Sequence, residues 1–218
     1  MSRLLTILLA VSGLALFLIA GRLAAHELAL VPGNQARDYF NKGWRVEDWQ
    51  VKRLHASRQR ALDWYEHGKT WGEYGLALML LDERNDEAGD AAEDAVAVLH
   101  EALRRQPVQP HAWLRYAIML DKTEAPSSAV TTALLASVTT GPYEREILAP
   151  RMEMLMQHVR PFPRTESGPL AAQIRYLWSF APETVIETAL RTGTVQAMLT
   201  ALGDDPSVNE TMNNWANK

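Results

Sequence analysis

The chain changes its pattern of apolar and polar positions once, near residue 21. Residues 4–21 hold no charged side chain and are apolar on every side of a helix. Beyond them, apolar residues recur three and four positions apart, in short stretches punctuated by proline and glycine. The first pattern predicts a helix about long enough to cross a hydrocarbon core. A helix on the surface of a soluble domain would be apolar on one face only. The second pattern predicts amphipathic helices joined by short turns.

The apolar run is read as an uncleaved anchor. Its candidate exits, "LIA" and "LAA", place Leu where a signal peptide prefers a small residue. Arg3 and the terminal amine precede the run, and Arg22 and Arg37 follow it, so the charge bias is weak. The short N-terminal tail favours an N-terminus inside and a body outside the cytoplasm. In a bacterium this means a single pass through the inner membrane and a periplasmic body.

"LAAHELALVPGN" extends the helix for a turn or two and stops at Pro32-Gly33. This gives an anchor with its extension at 1–31 and a linker at 32–45. A helical domain follows at 46–203, then a polar tail at 204–218 expected to be frayed. The first body helix covers 46–67 and ends at Gly68; the next is capped by Thr70. The acidic "NDEAGD" is a turn, and "RPFPR" is a rigid connector. Residues 169–202 supply helices that could cap the open end of a stack. No stretch alternates with period two for long enough to predict a sheet. The predicted class is all-α.

Within the body a unit recurs. Ala95, Leu99 and Ala102 lie on one helical face, small where a neighbour must come close, and Pro107 ends the helix. Trp113, Tyr116, Ala117 and Leu120 follow in the Trp-x2-Leu-Gly-x2-Tyr pattern of a tetratricopeptide repeat. Upstream, Trp71, Tyr74, Gly75 and Leu78 repeat it; downstream, Ala129, Ala133 and Ala136 repeat the second-helix face before Gly141-Pro142. The Trp71-to-Trp113 spacing exceeds the usual period of about 34 residues, and the excess falls in the acidic turn. Residues 70–142 thus predict two repeat units of a right-handed helical-hairpin superhelix. Met152, Leu155, Met156 and Val159 form a stripe expected to pack in the core.

Composition narrows the chemistry. The chain has 218 residues, a net charge of −4 and no cysteine. It therefore lacks disulfides, thiolate metal sites, a Cys nucleophile and a basic field that would draw it to nucleic acid. "HELAL" starts like a zinc-protease helix, but Leu30 stands at the second ligand position. There is no Gly-rich phosphate loop and no G-x-S-x-G. Acidic pairs such as Asp82-Glu83 and Asp86-Glu87 have polar company and read as solvated. No catalytic residue, metal or cofactor is expected, and the chain is read as a non-enzyme. Lys52, Arg53, Arg58 and Arg60 make the helix after the anchor basic. They are candidates for contact with anionic lipid headgroups or an anionic polymer.

Four pieces occur in order: the N-terminal anchor, "EALRRQPVQPHAWLRYAIML", "ALLASVTTGPYEREILAPRMEMLM" and "QIRYLWSFAPETVIETALRTG". Together they resemble the single-span helical-repeat accessory proteins of bacterial exopolysaccharide biosynthesis and export, over roughly residues 60–195. The resemblance implies an anchored interaction module without catalytic residues, with protein partners in an envelope assembly. Trp71, Tyr74, Trp113 and Tyr116 would line its groove where they are not packed between helices, with Arg115 as a polar contact. An assembly chaperone for cytochrome maturation or secretion shares this plan. A polysaccharide-binding module stacking aromatics on sugar rings is the further alternative.

Overall fold

A computed structural model of the chain describes residues 2–84, 89–158, 168–203 and 206–216. All regular structure among these residues is helical, as the periodicity predicts. The chain divides into two compact units, Met1–Pro107 and Val108–Lys218.

The first unit holds α1 (Ser2–Asn41), α2 (Asp48–Trp64), α3 (Gly68–Asp82) and α4 (Gly89–Arg105). The apolar half of α1 leaves its side chains exposed from Leu5 onward, and it is long and apolar enough to cross a membrane. The second half packs against α2, with Ala29, Gly33 and Ala36 buried on one face of the helix and His26 on the same face reaching Thr70 of α3.

The expected stop at Pro32-Gly33 does not occur: α1 runs through both residues to Asn41, so most of the expected linker is helix. Pro32 has no N–H to offer the carbonyl of Leu28. Gly33 makes the step useful, because α2 occupies the space a side chain would need. A Cβ there would lie 2.2 Å from Ser57 Oγ and 3.0 Å from the Leu54 Cα. The nearby carbonyl of Leu30 accepts from Arg58 Nη1 at 2.7 Å. Tertiary packing thus turns a local breaker into a helix crossing point.

Other boundaries shift for similar reasons. α2 ends at Trp64, whose carbonyl accepts both Nε (3.1 Å) and Nη2 (2.8 Å) of Arg22. Gly68 opens α3 rather than closing α2; a Cβ on it would stand 2.6 Å from Gln106 Cβ. Thr70 is not a cap. It is buried in the first turn, with its hydroxyl 2.9 Å from His26 Nε2. The predicted α3–α4 face is present: Ala95, Leu99 and Ala102 have no exposed surface, and Gly75 admits the Leu99 side chain where a Cβ would lie 2.6 Å away.

The second unit holds α5 (Pro110–Lys122), α6 (Ser127–Thr140), α7 (Arg145–His158), α8 (Pro169–Trp178), α9 (Pro182–Thr192), α10 (Val195–Leu202) and α11 (Pro206–Ala216). Proline at the first turn starts α5, α8 and α9, where its missing N–H costs nothing. α5 and α6 run antiparallel, with Ser137 Oγ donating to Pro110 O at 2.8 Å. Ala117, Leu134, Leu148 and Ile174 form the core with Met152, Leu155 and Met156, which confirms the methionine stripe as packing. Val159, the "RPFPR" connector and residues 85–88 of the acidic turn lie outside the described residues. The tail is not frayed throughout: residues 206–216 form α11.

Candidate functional site

The two Trp-x2-Tyr motifs fold alike, each within its own unit. On α3 the Trp71 and Tyr74 rings meet edge-on, with centroids 6.3 Å apart at 69°. On α5, Trp113 and Tyr116 meet at 6.3 Å and 66°. All four are half-buried. Residues three apart on a helix are surface neighbours, so this local spacing is enough to bring the rings together.

Neighbouring elements distinguish the pairs. The Arg105 guanidinium of α4 lies 5.9 Å from the Trp71 centroid, within the range of a cation–π contact. Glu66 and Glu101 hold Arg105 there. His55 of α2 lies 5.0 Å from the Tyr74 ring. Burial pushes the His55 imidazole down, and burial with the Asp94 carboxylate pushes the Tyr74 phenol up. The Trp71 indole nitrogen is buried without a hydrogen-bond partner among the described residues.

In the second unit, Arg115 is a correction: it is 8 % exposed, so most of its side chain is withdrawn from any groove. It lies close enough to His111 to disfavour a second positive charge. Burial, then Arg115, lower the His111 imidazole to about 4, with Arg151 acting in the same direction and Glu146 against it. His111, Glu144 and Glu146 place one ligand atom each within 4.8 Å of one another. A nitrogen and two carboxylate oxygens are ligand types for a divalent cation. The positive charges of Arg115 and Arg151 oppose a cation there. Glu144 already serves as counter-charge to Arg151.

The basic group on α2 separates. Lys52, Arg53 and Arg60 are exposed. Arg58 is not a surface charge at all: its exposure is 0 %. Its Nε donates to Glu73 Oε2 at 2.7 Å, and its Nη2 donates to Asn34 Oδ1 at 2.9 Å. The sequence did hold a signal for this. Val51, Leu54, Arg58 and Ala61 share one helical face and are all buried, whereas Lys52, Arg53 and Arg60 lie off it. Reading the four cations as one group missed that stripe.

Arg151 went unremarked in the same way. It follows Leu148 by one turn and is also 0 % exposed, with its guanidinium bonded to the carbonyls of Ser137 (3.0 Å), Gly141 (2.8 Å) and Pro142 (3.1 Å) and to Gln173 Oε1 (2.9 Å). The chain matches no protein-family model, no curated protein and no solved structure.

Proposed function

We propose that the chain is a membrane-anchored helical-hairpin interaction module that supports a bacterial polysaccharide biosynthesis or export complex, without catalysis of its own. The observation that carries the module reading is the continuity of α1. One helix holds both the exposed apolar segment and the face that packs on α2, so the body joins its anchor without a flexible linker. A tethered domain built this way presents a fixed surface close to a bilayer. The polysaccharide assignment rests on the resemblance of the segments quoted above.

In this reading the hairpins stack as a tetratricopeptide-like superhelix in the periplasm, with the N-terminus of α1 on the cytoplasmic side. The half-buried Trp71, Tyr74, Trp113 and Tyr116 hold the hairpins with their inner edges and offer their outer edges to a partner segment. Crosslinking of the full chain in native membranes, followed by purification and identification of attached proteins, tests the proposal. Glycosyltransferases, a flippase, a polymerase or an export channel are the expected partners. Cytochrome-maturation or secretion components would replace the polysaccharide assignment with the chaperone alternative. Recovery of nothing above background, together with a tryptophan fluorescence change on adding oligosaccharide, would replace the protein-partner reading with a sugar-binding one.

A further inference from the structure

We propose that the turn between α2 and α3, carrying Trp64 and Tyr65, is a second membrane contact seated in the lipid headgroup layer beside α1. This rests on reading the apolar half of α1 as a membrane span.

The level of the turn follows from a hydrogen bond. The uncharged run ends at residue 21, and Arg22 is the first charge after it. Both Nε and Nη2 of Arg22 donate to the carbonyl of Trp64. The end of α2 is therefore fixed beside the point where the hydrocarbon must give way to headgroups. Glu27, little more than one turn further along, has a side chain 75 % exposed. An exposed carboxylate does not sit in hydrocarbon, so the boundary lies short of Glu27, at the level of Arg22.

The chemistry of the turn suits that level. Trp64 and Tyr65 are 45 % and 44 % exposed, large rings with one polar atom each. Such side chains favour membrane interfaces, where the ring is apolar-solvated and the N–H or O–H stays wet. His26 braces the turn from α1, its ring 5.8 Å from that of Tyr65 and 6.5 Å from that of His67. Tyr65 and His67 stack at 6.0 Å. Lys69, next in line, is exposed and supplies a cation at headgroup depth.

The opposite end of the same hairpin supplies a contrast. Trp44 and Trp49 are more exposed still, 56 % each, and Trp44 packs on Tyr39 with centroids 5.3 Å apart. Tyr39 lies about 25 Å along α1 from Arg22, at about 1.5 Å per residue. Lys52 and Arg53 precede Arg58, which bonds at the level of Leu30 and Asn34, and so stand beyond it on the far side. Their height above Arg22 is roughly 20 Å, more than twice the screening length of about 8 Å at physiological salt. The membrane-near contact therefore belongs to Trp64, Tyr65 and Lys69 rather than to Lys52 and Arg53. Two contacts, α1 and the turn, would set the rotation of the first unit about the anchor.

The absence of cysteine makes the test direct. Single-cysteine variants of the full chain (Leu14→Cys, Trp44→Cys, Trp49→Cys, Trp64→Cys and Tyr65→Cys) are spin-labelled and placed in phosphatidylcholine–phosphatidylglycerol nanodiscs. Circular dichroism checks that each is folded; all five positions are exposed. The measurement is the ratio of oxygen to nickel-chelate accessibility, which rises with depth in the bilayer. The expected order is highest at 14, intermediate at 64 and 65, and lowest at 44 and 49, with the 64 and 65 ratios several-fold above those at 44 and 49. Ratios at 64 and 65 equal to those at 44 and 49, with 14 deep, would overturn the turn contact and leave the span standing. An aqueous ratio at 14 would overturn the span and the turn contact with it.

Discussion

Arg58 in the first unit and Arg151 in the second are both wholly buried, yet each is held by a different chemistry. Arg58 faces a carboxylate: Glu73, itself 8 % exposed at its side chain, sits 2.7 Å away. Among the described residues, Arg151 bonds to neutral oxygens instead, from Ser137, Gly141, Pro142 and Gln173. Burial lowers the proton affinity of both guanidinium groups. Glu73 opposes the loss at Arg58, while Arg151 falls to about 10, with Glu144 acting from further off. Both stay charged at neutral pH. The contrast shows two ways to bury a cation, one adding a counter-ion to the neutral acceptors of Leu30, Ser57 and Asn34 and one relying on neutral acceptors at bonding distance.

That difference predicts unequal fragility. Glu73→Ala leaves a buried charge without its counter-ion and should cost about 3–5 kcal/mol. The double variant Arg58→Met with Glu73→Leu should recover most of that loss, since apolar replacements of a buried pair are often neutral. Urea unfolding of the full chain in micelles measures both. Equal damage from the single and the double variant would break the comparison on the first side.

Gln173→Leu removes one neutral acceptor from Arg151 and leaves the carbonyls in place. Its expected cost is smaller, about 1–3 kcal/mol. A loss as large as that from Glu73→Ala would show that the compensation at Arg151 is not shared.

The smallest effect is a pH dependence beside Arg151. The folded-state pKa of His111 is lowered from an ordinary 6.5 to about 4, first by burial and then by Arg115. The unfolded chain therefore binds more protons between these values. Stability is fully present above about pH 6.5 and is lost as the pH falls toward about 4. Discounted for partial exposure, the loss is on the order of 1–2 kcal/mol. His111→Gln should flatten that part of the profile in acid unfolding curves. An unchanged profile would remove His111 as its source.

Local pattern carried much of the architecture and less of the site. Ala95, Leu99 and Ala102 announced a close helix contact because small and branched side chains recur with the helical period, and Gly75 fits against Leu99 as that pattern requires. The aromatic pairs were equally legible, since residues three apart meet on any helix. Arg58 was misread because charge was weighed without its place on the Val51–Ala61 stripe. Arg115 was taken for a surface contact for the same reason, although Leu114 and Ala117 flank it and all three are buried.

The sequence alone determined the helical class, the apolar N-terminal segment and the close contact of α3 with α4, because these depend on periodicity and on side-chain size. Only the tertiary structure decided that Pro32-Gly33 continues a helix, that Arg58 is internal and that Trp64 stands level with Arg22. Each depends on what a distant segment places nearby: α2 filling the space at Gly33, Glu73 offsetting a charge, and Arg22 capping a carbonyl far along the chain. Hydrogen bonds and burial are satisfied in space, and the neighbour that satisfies them is rarely the neighbour in sequence.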